Sequence, residues 1–237
     1  MQIPKLIKGL KNIIAGEIIG LVSAVLFGGV TSVLLFVTLD KITDDAFMAR
    51  LFGVAGTGLY ILSVVGSLIS SLIIFIGLMR IRKEDYKFKE AIVMIIIPAI
   101  SLILQLFMDN SANYRVIELL LDLWFMVAVT QGLVNICDKV KERNVADKGI
   151  TVIKQVICLY AICIVANITQ NFFSSNQSFE LIGFISLVVN VLTELLMNIF
   201  YIGYIIKVRK MLIEYGAESN TDNFTFDTKC NRIIEIN

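Results

Sequence analysis

Six stretches of the chain are apolar for long enough to cross a bilayer, and short polar segments separate them. They cover residues 13–39, 52–79, 91–108, 116–136, 150–168 and 181–206. About 18–20 successive apolar residues, helical at roughly 1.5 Å each, reach across about 30 Å of hydrocarbon. Backbone polar groups in hydrocarbon must be satisfied internally, so each run predicts a helix. The pattern predicts an all-α, polytopic integral membrane protein: a six-helix transmembrane bundle over 13–210. A basic segment (1–12) precedes it, and a polar tail (211–237), expected to be disordered, follows.

Polar residues inside these runs carry more information than the apolar ones. In the last run, "GFISLVVNVLTELLMNIFYIGYIIKVRKM", Ser186, Asn190, Glu194 and Asn198 recur every four residues and share one helix face. Glu194 falls near the middle, too deep for its short side chain to reach the headgroups. An ionised carboxylate there needs a cation or water beside it. Its expected surroundings are Asn190 or Asn198, or a polar group on the third or fourth helix. Asp122 lies about two turns into the fourth run, four residues after Glu118. Ionisable groups inside membrane helices mark ion and substrate pathways. The candidate binding set is therefore Glu194, Asn190, Asn198, Ser186 and Asp122. Lys154, about one turn from the cytoplasmic end of the fifth helix, is expected to snorkel to the headgroups, with a pair to Glu17 at comparable depth in the first helix as the alternative.

Small residues mark the expected packing. Gly16, Gly20, Ala24 and Gly28 recur every four residues in the first run. In the second, Ser63, Ser67 and Ser71 do the same, with Gly66 and Ser70 alongside. Faces without bulk let helices approach closely, which drives association where water cannot. These stripes predict a seam between helices 1 and 2, with a dimer interface as the rival. Pro98 predicts a kink in helix 3. The short third loop makes helices 3 and 4 antiparallel neighbours.

Charge orients the bundle. Of 21 Lys and Arg, all but Lys41, Arg50 and Arg115 fall before helix 1, between helices 2 and 3, between 4 and 5, after helix 6, or at Lys154. The positive-inside rule then puts both termini in the cytoplasm, an N-in/C-in arrangement. The basic start followed by a long apolar run reads as a retained anchor rather than a cleaved signal. No cysteine falls in an outer loop and no CxxC occurs, so neither a disulfide frame nor a zinc site is expected.

Composition narrows the function. With 57% hydrophobic and 17% charged residues, little chain remains for a soluble catalytic domain. The absence of histidine excludes HExxH zincins and histidine triads. No P-loop and no GxSxG is present, and a pair of deep aspartates on different helices is lacking. No enzyme activity, cofactor, metal or nucleic-acid partner is expected. Partners are the lipid bilayer and either another membrane protein or a second copy of the chain. The compartment is the bacterial cytoplasmic membrane. Two functions fit: a small transporter, or the membrane subunit of one, working through an intramembrane carboxyl; or an accessory, assembly or protective protein acting by helix packing with a partner.

Overall fold

A computed structural model describes residues 1–25, 46–105, 113–173 and 180–234. Those residues form helices and no strands: α1 (Ile3–Val22), α2 (Ala46–Ile81), α3 (Lys87–Gln105), α4 (Asn113–Lys139), α5 (Arg143–Phe173) and α6 (Glu180–Ile234). Stretches within α2, α4, α5 and α6 are long and apolar enough to cross a membrane: Ile61–Ile81, Leu119–Lys139, Arg143–Thr169 and Ile185–Ala217. The runs at 13–39 and 91–108 extend partly outside the described residues.

Helix ends depart from the apolar runs at the basic side. α1 begins at Ile3, with Pro4 in its first turn, rather than near residue 13. Proline there loses no bond, because the first amides of a helix have no partner within it. α6 continues to Ile234, so residues expected to be disordered are helical. Hydropathy measures the thickness of hydrocarbon, whereas a helix needs only its own backbone bonds. α3 runs through Pro98 without interruption.

Each helix packs on the next, and α6 returns against α1, closing a ring; α4 and α6 also touch across it. Two turns at the basic end fix this order. In the α2–α3 turn, Asp85 accepts from the Lys87 amide at 3.0 Å, an Asx-type closure. Its other oxygen accepts from Asn135 Nδ2 of α4 at 3.2 Å and lies 3.5 Å from Lys139 Nζ. The start of the chain joins this cluster, since the Gln2 amide donates to Glu84 Oε1 at 3.0 Å. Nearby, Glu90 bonds Lys87 at 2.9 Å and holds its ammonium above the ordinary lysine range. The α4–α5 turn is a Schellman closure: Glu142 N–H donates to Cys137 O and Lys141 N–H to Asp138 O. Lys141 takes the left-handed position (φ 64°) that glycine usually fills.

The densest packing also lies toward this end. Leu10, Leu78, Phe88, Leu133 and Ile205 come from five different helices and have no exposed surface. Phe88 sits so close to Gly132 that a Cβ there would stand 2.9 Å from its ring.

The α1–α2 seam forms, but on a different register from the four-residue stripes. A Cβ on Gly16 would stand 2.9 Å from the Ser70 carbonyl oxygen, and one on Gly20 would stand 2.8 Å from Ser70 Oγ. Gly9 and Gly77 approach likewise: a Cβ on either would stand 2.8–2.9 Å from the other's carbonyl oxygen. Ser23 packs on Gly66, and Ser70 Oγ donates to Gly16 O at 2.8 Å. On α1 the seam is therefore Gly9, Ile13, Gly16, Gly20 and Ser23, alternating steps of four and three. A strict four-residue stripe gains about 40° per step on a 3.6-residue helix, whereas a 3.5-residue average stays facing its partner. Ala24 is accordingly exposed, and Gly28 lies outside the described residues. On α2, Gly66, Ser70 and Gly77 make the seam in place of Ser63 and Ser67, which are half-buried and exposed respectively.

Candidate functional site

Beyond the dense end, the ring encloses a cavity of about 350 Å³ to which all six helices contribute. Three carboxyl side chains reach it from three helices: Glu17 from α1, Asp122 from α4 and Glu194 from α6. α2 supplies Ser67 and Ser71, α3 supplies Met94 and Ile95, and α5 supplies Tyr160. Among the described residues, no lysine or arginine lines it.

The three acids differ in access. Asp122 is exposed, Glu194 is half-buried, and Glu17 is buried with 8% exposure. Glu17 Oε1 has no hydrogen-bond partner among the described residues. Burying a polar atom without a partner is costly, so such an atom facing a cavity marks a place for a donor. The alternative pair with Lys154 does not form: Lys154 is exposed on α5. Because α1 starts ten residues earlier than its apolar run, Glu17 is a mid-bundle residue rather than one at the basic rim.

Tyr160 stands among these acids, within electrostatic range of Asp122, Glu194 and Glu17. Its hydroxyl lies 4.0 Å from Met126 Sδ. Tyr201 lies within range of Glu17 and Tyr160, and packs edge-on against Phe125 with ring centroids 6.4 Å apart. Cys163 neighbours Glu194. Among the described residues, α2 and α3 contribute no titratable group to the lining.

The polar stripe of α6 divides between two tasks. Glu194 and Asn198 line the cavity, but Asn198 Nδ2 donates to the Glu194 main-chain carbonyl at 2.9 Å rather than to the carboxyl. Asn190 turns toward α5. Its Nδ2 donates to Glu194 Oε1 at 3.2 Å, and its Oδ1 accepts from Asn167 Nδ2 at 2.9 Å. Asn167 also donates to Cys163 O at 3.0 Å. Ser186 is buried one turn further along, beside an apolar groove between α5 and α6 and away from the acids.

Sequence reasoning thus found Asp122, Glu194 and Asn198 at the cavity, and missed Glu17, Tyr160 and Asn167. The signal for Asn167 was its polarity near the end of the 150–168 run, where it meets Asn190 of α6. Among the described residues, no three acidic, cysteine or histidine side chains are grouped closely enough to hold a metal ion. Comparison with family models, curated proteins and solved structures finds no match.

Proposed function

We propose that the chain is a small membrane transporter, or the membrane subunit of one, that carries a cationic species by exchange at Glu17, Asp122 and Glu194. The observation that carries this reading is the convergence of three carboxyl groups, from three helices, on one central cavity with no basic side chain among its described lining residues. Acid side chains are expensive inside a bilayer, and three would not be gathered merely to pack. A cavity of one sign attracts counter-ions and excludes anions. The gradient from exposed Asp122 to buried Glu17 gives a direction of travel, toward the densely packed basic end. Transport requires that end to loosen, where Phe88 against Gly132 is one of the close contacts.

In this reading the chain crosses a bacterial cytoplasmic membrane six times with both termini in the cytoplasm, an orientation supported by the bias of Lys and Arg toward one side. Labelling of Cys230 in intact cells without permeabilisation would reverse this orientation.

The second reading, an accessory or protective protein that docks a partner helix, draws on the apolar groove of about 460 Å³ between α5 and α6. Its walls include Cys158, Ala161 and Ser186, small enough for close helix approach. Glu194→Gln separates the two. In proteoliposomes loaded with a pH-sensitive dye, cation addition should drive proton movement through the wild type and not through the folded variant. Equal activity in both would remove Glu194 from the mechanism and leave the packing reading.

A further inference from the structure

Resting on the transport reading above, we propose that the cavity takes an organic cation, an alkyl- or arylammonium, rather than a bare metal ion. Size is the first argument. A metal ion needs several oxygens at roughly 2.0–2.6 Å. The acids here stand around about 350 Å³ without grouping to metal-ligand spacing. Taking roughly 30 Å³ of liquid per water, that space holds about ten water-sized groups, the bulk of a small amine with its substituents. It also falls within the size range of small-molecule pockets, about 300–1,000 Å³.

The walls give the second argument. Phe125 and Tyr160 bring aromatic surface, and Met94, Met126 and Met197 bring thioethers. A hydrated metal ion has no use for such surface. An ammonium gains from the ring faces by cation–π attraction, and its carbon substituents gain from contact with the polarisable sulfurs. Packing holds one wall in place, since Phe125 rests edge-on against Tyr201. The methionines are unbranched and adaptable, which suits cations of varied shape.

The third argument is the unpaired acceptor. Glu17 Oε1 is buried at the inner wall and, among the described residues, without a partner. An ammonium N–H would satisfy it while the substituents fill the apolar space between Phe125 and Met94. Glu194, already accepting from Asn190 on one oxygen, adds charge from the side. Asp122, at the exposed end, makes the first contact. Anions find no basic side chain among the described lining residues, and a neutral molecule brings no charge to balance the three acids.

The test is calorimetric titration of the full chain in lipid nanodiscs with benzyltrimethylammonium, benzylamine, sodium, potassium and magnesium. The wild type should bind the two organic cations, benzylamine more tightly because it brings N–H donors. Glu17→Gln and Glu194→Gln should each weaken this about tenfold or more, the loss of one charge-assisted contact. Asp122→Asn, at an exposed position that folding tolerates, should weaken it severalfold and keeps the test open if a buried variant misfolds. Phe125→Leu should weaken benzylamine binding severalfold through the lost aromatic face. Binding of sodium or potassium that the acid variants abolish, with no organic cation bound, would overturn this inference and leave cation transport standing. Organic-cation binding unchanged in all the acid variants would place it in the bilayer or the α5–α6 groove and overturn the inference. No binding of any cation by folded wild type, with no cation-driven proton movement in proteoliposomes, would overturn both readings.

Discussion

The side-chain amide of Asn167 on α5 donates to the Oδ1 of Asn190 on α6 at 2.9 Å, and each residue is 2% exposed or less. Through Asn190 Nδ2 the bond continues to Glu194. One amide therefore ties two helices together and turns a carboxyl toward the cavity. Such bonds in membrane helices contribute about 0.6–2 kcal/mol. A double-mutant cycle of Asn167→Ala and Asn190→Ala, read by unfolding from bicelles, should return a coupling in that range. Simple additivity would mean the two amides are not partners.

Acidification should weaken cation binding. A carboxyl oxygen that holds a proton cannot at the same time hold the cation, so the two compete. Affinity should fall as pH falls, by up to about tenfold per unit for each proton exchanged. The groups facing the cavity are Glu17, Asp122, Tyr160 and Glu194, with Cys163 and Tyr201 close behind. Glu194→Gln should flatten this dependence while leaving the folded yield unchanged. A slope as steep as that of the wild type would assign the exchanged proton to another of these groups.

The α1–α2 seam ranks its own substitutions. Gly16→Leu and Gly77→Leu drive a side chain into a carbonyl less than 3 Å away, which the facing helix can relieve only by moving. Overpacking of this kind costs about 1–3 kcal/mol. Ala24→Leu, on the exposed side of α1, should leave folded yield untouched. A Leu at 24 as damaging as one at 16 would put the seam back on the four-residue stripe.

Lys141 offers a gain in stability. The left-handed conformation costs an L-residue about 1–2 kcal/mol, and glycine avoids that at about 1 kcal/mol or less of extra chain entropy. Lys141→Gly should therefore stabilise the α4–α5 turn by about 0.5–1 kcal/mol, seen as a higher unfolding midpoint. A lower midpoint would mean that the lysine charge at the helix end outweighs the backbone strain.

Much of this architecture was legible in the residue pattern, for reasons specific to membranes. A run such as 181–206 must be helical because hydrocarbon offers its backbone no other partner, so the helices announced themselves. Their ends did not. Nothing polar forbids α1 from beginning at Ile3, and that ten-residue shift moved Glu17 from the rim to the wall of the cavity. Asp122, Glu194 and Asn198 stood out because acids and amides are rare in such runs. Tyr160 did not, since a tyrosine among apolar residues reads as packing until neighbouring acids surround it. Asn167 and Asn190 are 23 positions apart, and only the rotation of α5 against α6 brings them face to face. The seam failed by register: spacing of four looks like one face in a sequence, while a long helix pair follows 3.5.

The return of α6 against α1 has a consequence for how the molecule is made. Neighbours in the ring are also neighbours in sequence, so the first five helices can pair one after another as they leave the ribosome, at short loop-closure distances. The final contact joins the two ends of the chain and is the slowest to find. Until α6 has emerged and docked, Glu17 lacks the wall opposite it and Glu194 is not yet in place. A half-made chain thus carries at most two of the three acids, and the cavity exists only in the finished molecule.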